Sequence, residues 1–182
     1  VSGGPEGVAT GIAQCGDDLV TILDFERIVA EIAPQTSIQV SDIDRMGYRE
    51  CREMPVFVAE DSILLTKMIE EALHKSGYVN VRMFPNGQEL WNALSAAKDA
   101  GNTASVCSIV ITDLEMPQMD GHRLTKLIKD DPALKSIPVI IFSSLITEEM
   151  RVKGKELGAD EQLSKPEIVH LVSIMDKLLG RL

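Results

Sequence analysis

Between residues 54 and 182, short apolar runs alternate five times with stretches whose apolar residues recur at helical spacing, an order that few folds accept. Pro55-Val56-Phe57-Val58-Ala59 is a strand-like run that stops at two acids, Glu60 and Asp61. Leu65, Met68, Ile69, Ala72 and Leu73 then share one helical face, and Gly77 closes that helix. Val79 to Phe84 alternates as a half-buried strand does; Leu90, Leu94 and Ala97 mark the next helix. Val106 to Thr112 reads as a buried strand, followed by a loop and a helix carrying Leu124, Leu127 and Ile128. Pro138 to Phe142 is the fourth strand, and Thr147 to Leu157, with a poor apolar face and Gly154, is expected to be the least firmly packed helix. Glu161-Gln162-Leu163 is a short fifth strand, and Ile168, Leu171, Val172, Met175 and Leu179 trace the last helix. Strands and helices in such alternation form a parallel sheet covered on both faces, so the expected class is α/β and doubly wound.

The first 53 residues follow a different pattern. Gly11 to Gln14, the turn Cys15-Gly16-Asp17-Asp18, and Leu19 to Leu23 predict strand, turn, strand. Asp24 to Ile32 reads as a short helix ended by Pro34, and the polar stretch from Thr36 to Arg52 reads as linker. Two strands cannot bury a sheet face alone, so residues 1–35 are expected to be a β-rich piece of something larger. The expected division is 1–35, a linker at 36–53, and a domain at 54–182.

Charge and cysteine usage narrow the function. The first 53 residues hold four Arg against ten acids, and the remainder fourteen Lys or Arg against eighteen acids, so both parts are negative within a total of −10. A nucleic-acid binder needs a clustered positive face, and this chain is not expected to be one. Cys15, Cys51 and Cys107 are an odd, widely spaced set that fits neither a disulfide framework nor a zinc site, and a reducing cytoplasm is the expected compartment. No secretory signal or membrane span is expected either. His74, His122 and His170 lack metal-ligand spacing and are read as helix-surface residues, and Trp91 as a packing residue.

In an open parallel sheet, ligands sit beyond the carboxyl ends of the strands. Glu60 and Asp61 close the first strand, Asp113 the third and Ser143 the fourth, and Lys165 follows the fifth; Asp61, Asp113 and Lys165 lie 52 residues apart in turn. Taken singly, each has an ordinary reading: Asp61-Ser62 as a helix cap, Asp113 as a turn opener, Ser143 as a strand-end hydroxyl, Lys165 as a surface charge. Together they describe a site. Three carboxylates drawn close repel unless a cation sits among them, and an all-oxygen set suits Mg²⁺. The chemistry expected of it is attack by the Asp113 carboxylate on phosphorus, with Lys165 and the Ser143 hydroxyl facing the phosphoryl oxygens. Truncation of Lys165 is expected to weaken that chemistry and leave the fold intact.

The stretch Ile111-Thr112-Asp113-Leu114-Glu115-Met116-Pro117-Gln118-Met119-Asp120-Gly121, with Glu60-Asp61, Phe142-Ser143-Ser144 and Ser164-Lys165-Pro166, resembles the response-regulator receiver family of two-component signalling. The resemblance covers residues 54–182. It implies a flavodoxin-like sheet of strand order 2-1-3-4-5, phosphotransfer from a histidine kinase to Asp113, and Mg²⁺ held by Glu60, Asp61, Asp113 and the main-chain carbonyl of Glu115. It implies a cis bond before Pro166, and a phosphoacceptor that catalyses its own phosphotransfer and slow dephosphorylation without being an enzyme for another substrate. Many receivers carry an aromatic switch residue three places before the lysine; here that residue is Gln162.

Gly11-Ile12-Ala13 followed by Leu19 to Val29 resembles the end of a CheW-like coupling domain. A coupling domain followed by a receiver resembles the CheV-type chemotaxis proteins, which implies a CheA-like kinase and a chemoreceptor complex as partners. A receiver with an output outside chemotaxis is the alternative. A phosphatase with an aspartate nucleophile on the first strand fits poorly, because Asp61 is followed two residues later by Ile63.

Overall fold

The computed structural model describes residues 9–16, 18–23, 43, 49–144 and 146–180. The chain divides into two compact units, Val1–Ser37 and Ile38–Leu182. In the first, β1 (Ala9–Cys15) and β2 (Asp18–Leu23) form an antiparallel hairpin in which Cys15 pairs with Asp18. The tight turn places Gly16 at φ 65°, a conformation that glycine adopts at little cost. Leu19 is 75% exposed and Val20 46%. The short helix expected over residues 24–32 lies outside the described residues.

The second unit contains β3 (Val56–Ala59), α1 (Ile63–Lys75), β4 (Val81–Phe84), α2 (Gly87–Asp99), α3 (Thr103–Val106) and β5 (Ile109–Thr112). It continues with α4 (Gly121–Asp130), β6 (Val139–Ser143), α5 (Glu148–Glu156), β7 (Glu161–Ser164) and α6 (Ile168–Leu178). The five strands are parallel in the order β4-β3-β5-β6-β7, the flavodoxin-like arrangement. Alternation along each strand sorts the core onto two faces. Val56, Val58, Ile109, Ile111, Ile140 and Phe142 pack under α1 and α6, whereas Phe57, Ala59, Val110 and Val139 pack under α2 and α4. Trp91 is half-buried against this second face.

Two expectations change. Val106 is the end of the one-turn α3, closed by Cys107 N–H donating to Thr103 O (3.0 Å), so β5 starts only at Ile109. Residues read as linker are also attached to the receiver-like unit. Ile43 is buried in the α1–α6 core, the Arg49 guanidinium pairs with Asp176 and bonds Ser76 O, and Arg52 bridges to Tyr78. Asp176 also accepts from the Tyr78 hydroxyl (2.7 Å). These polar ties were hidden because Arg49 and Asp176 lie 127 residues apart.

α5 is as weakly packed as its composition implies, with Gly154 its one buried residue among those described. Thr147 caps it, accepting from Met150 N–H (3.2 Å).

Candidate functional site

Inter-strand hydrogen bonds carry the site residues off the sheet at one level. Glu60 N–H donates to Phe84 O (2.9 Å), Asp113 N–H to Ala59 O (3.0 Å) and Lys165 N–H to Ser143 O (3.1 Å). Each residue therefore leaves its strand next to the end of its neighbour. The Lys165 ammonium lies 2.8 Å from Glu60 Oε2 and 2.7 Å from Asp113 Oδ2. All three side chains are buried. The other Asp113 oxygen, Oδ1, accepts from Leu114 N–H (2.6 Å).

Ser62, rather than Asp61, caps α1 through its hydroxyl, which accepts from Leu65 N–H (3.2 Å). Its own N–H donates to Glu60 Oε1 (3.2 Å). Asp61 is left exposed at the mouth, and oxygens of Glu60, Asp61 and Asp113 all lie within 4.8 Å of one another. Three carboxylates therefore face one ammonium. Burial pushes the Glu60 carboxyl up to about 7, with Asp113 adding to the rise and Lys165 opposing it. Burial works against the Lys165 charge, but Glu60 and Asp113 outweigh it and hold the ammonium above its ordinary value. Burial is thus the main reason that Glu60 holds its proton, and the facing carboxylates are the reason that Lys165 holds its own.

The raised pKa of buried Glu60 predicts a pH effect on folding. Folded Glu60 binds its proton more tightly than an unfolded glutamate, so it favours folding below about 4.5, and this contribution is lost as pH rises to about 7. Metal-free Glu60→Gln is expected to lack that part of the slope. The stability difference between the two proteins should change by about 1–3 kcal/mol between about pH 5 and about pH 8. Urea melts at both pH values measure it, and parallel curves would contradict the assignment.

Ser143 is buried at the end of β6, in register with Ser164. Glu115 has an exposed side chain and lines an open cleft of about 340 Å³ with His122, Thr147 and Lys153. His122 departs from the surface position expected of it. It is the second residue of α4 and turns toward α5, where burial and then Lys153 lower its pKa. The cis bond implied before Pro166 is not formed, since every peptide bond among the described residues is trans. The chain turns there instead through Glu167 N–H donating to Ser164 O (2.9 Å).

Gln162 is clasped to α5 rather than free to swing. Its Nε2 donates to Arg151 O (2.8 Å), and Arg151 Nη1 donates to Gln162 O (3.1 Å). A methyl group on Gly154 would stand 2.3 Å from Gln162 Oε1, so glycine is what allows α5 to lie this close. A polar clasp occupies the place where many receivers put an aromatic ring. Nothing short-range in the sequence pairs Gln162 with Arg151 and Gly154, because helical and strand neighbours across a loop are not encoded by spacing.

With this geometry established, comparison with known proteins agrees on the class. Residues 56–176 match the response regulator receiver domain, and the chain belongs to that family. It is 29% identical over 180 residues to the chemotaxis protein CheV2 of Helicobacter pylori, an alignment covering 96% of this chain and 55% of CheV2. The chain thus spans about half the length of that relative. Among solved structures it resembles the receiver domain of a signal transduction histidine kinase from Syntrophus aciditrophicus, with TM-score 0.60, 30% identity, and coverage of 71% of this chain and 92% of the other. It also resembles the phosphorylated cyanobacterial phytochrome response regulator RcpA, with TM-score 0.56, 27% identity, and coverage of 71% and 91%. Among the described residues, no helix is long and apolar enough to cross a membrane.

Proposed function

We propose that residues 54–182 are the phosphoacceptor module of a CheV-type chemotaxis coupling protein, with Asp113 receiving a phosphoryl group from a CheA-like histidine kinase. The observation that carries this reading is Asp113 at the end of β5, held by Lys165 at 2.7 Å and flanked by Glu60 and Asp61. An Asp113 carboxylate oxygen attacks phosphorus in line. The new O–P bond forms as the P–N bond to the donor imidazole breaks, and the imidazole nitrogen leaves with the electron pair. In this reading Lys165 attracts a phosphoryl oxygen, and the Ser143 hydroxyl donates to another.

The donor set fits Mg²⁺: hard carboxylate oxygens from Glu60, Asp61 and Asp113, within 4.8 Å of one another, whose mutual repulsion a divalent ion relieves. With the Glu115 carbonyl as a further ligand, the ion when bound supplies charge stabilisation for the phosphoryl oxygens. The first unit's hairpin is read as the end of a CheW-like coupling domain, residues 36–53 as its connection to the receiver, and the compartment as the cytoplasm. The similarity to CheV2 over nearly the whole chain supports that assignment.

The test is transfer from a CheA-type kinase already phosphorylated on histidine, in the presence of Mg²⁺, set against a kinase from an unrelated two-component pathway. Rapid transfer from the CheA-type donor and slow transfer from the other supports the chemotaxis reading. The reverse preference would assign the receiver to another output.

A further inference from the structure

β5 reads Ile-Val-Ile-Thr, and its last residue, Thr112, is a polar side chain with 0% exposure in an otherwise aliphatic strand. Its hydroxyl donates to the main-chain oxygen of Asp113 (2.9 Å). That oxygen belongs to the peptide unit whose N–H, on Leu114, donates to Asp113 Oδ1 at 2.6 Å. A peptide unit is planar, so holding its oxygen also aims its N–H. On the other side of the same oxygen stands Gly121, where a Cβ would be only 2.0 Å away. The peptide is thus confined between a hydroxyl and an α-carbon, and its N–H in turn confines one carboxylate oxygen while Lys165 confines the other.

We propose that Thr112 is a positioning residue for phosphorylation: its hydroxyl orients the Asp113–Leu114 peptide, and through Leu114 N–H it sets the plane of the Asp113 carboxylate. The inference rests on the reading of Asp113 as the phosphoacceptor. In-line attack needs a defined carboxylate plane, and catalysis by orientation loses rate steeply with small misplacements. A merely structural threonine would satisfy its hydroxyl on any nearby carbonyl. This one bonds the carbonyl of the peptide that holds the nucleophile.

The full chain and its Thr112→Ser, Thr112→Val and Thr112→Ala variants are phosphorylated with acetyl phosphate and Mg²⁺. Initial rates are taken across acetyl phosphate concentrations, and the Leu114 amide is followed by ¹⁵N-edited NMR. Thr112→Val is expected to lower the maximal rate roughly tenfold to a hundredfold. The half-saturating concentration should stay put, and the Leu114 amide proton should move upfield as its bond to the carboxylate lengthens. Thr112→Ser, which keeps the hydroxyl, should stay close to wild type in rate and amide shift. If the valine variant does not fold, the contrast between Thr112→Ala and Thr112→Ser decides. A hydroxyl-free variant labelled at the wild-type rate, or a serine variant as slow as the valine one, overturns the proposal. Failure of the wild type itself to label is a different outcome: it refutes the phosphoacceptor reading and removes the basis of this one with it.

Discussion

Gly121→Ala is expected to destabilise the receiver by about 3 kcal/mol and to slow phosphorylation of Asp113 by roughly tenfold or more. The added methyl would sit 2.0 Å from the Asp113 carbonyl oxygen, 3.0 Å from its carbon and 3.2 Å from the Leu114 α-carbon. All three are backbone atoms, so no side-chain rotation relieves the overlap. Gly121 is also the first residue of α4, tied on both sides. Its N–H donates to Leu114 O (3.0 Å), and its carbonyl accepts from the Thr125 hydroxyl (2.7 Å). Relief therefore requires α4 and the nucleophile's loop to separate. Overpacking of a core usually costs about 1–3 kcal/mol, and a backbone neighbour places this case at the upper end. Urea denaturation and initial labelling rates measure the two effects. A variant as stable and as fast as wild type would mean that α4 does not press on the phosphoacceptor as described.

The second large effect is expected at Lys165. Its side chain is 3% exposed and bonds both Glu60 and Asp113. Lys165→Ala leaves two buried carboxylates facing one another with no ammonium between them. Removing one partner of a buried pair costs about 3–5 kcal/mol, less whatever is regained when a carboxyl takes up a proton. Metal-free Lys165→Ala is therefore expected to lose about 2–4 kcal/mol near pH 8 and less near pH 6, with much slower phosphorylation at either. Mg²⁺ should stabilise the variant more than the wild type, since the ion replaces the missing positive charge. Melting curves with and without Mg²⁺ at both pH values test this. Equal Mg²⁺ stabilisation of the two proteins would contradict the shared site.

The expectation from sequence differs here, and the difference is instructive. A lysine after a short strand looks like a mobile charge that can be cut away without harm to the fold. Its burial comes from the register of β6 and β7, which draws Lys165 N–H to Ser143 O and turns the side chain inward.

Much of the rest was legible. The alternation of Val, Ile and Phe runs with helical faces encodes the parallel sheet directly, because period and length distinguish the elements. Glu60, Asp61, Asp113 and Lys165 were legible as a set because all sit one or two residues beyond the end of a strand. Other features were not. The Arg49–Asp176 pair and the Gln162–Arg151 clasp join residues whose proximity exists only after folding, and His122 is buried by the approach of α5. Thr112 was visible as a single hydroxyl in an aliphatic run, a signal that carries meaning only once its bond to the Asp113 carbonyl is seen.

The central claim is that Asp113 is the residue phosphorylated, and intact-mass spectrometry tests it most directly. Wild type and Asp113→Asn are incubated with acetyl phosphate, with Mg²⁺ and with a chelator. The wild type should gain a single phosphoryl group only when Mg²⁺ is present, and the group should be released by hydroxylamine, as an acyl phosphate is; Asp113→Asn should gain none. Labelling of Asp113→Asn to the wild-type extent would contradict the account at its foundation.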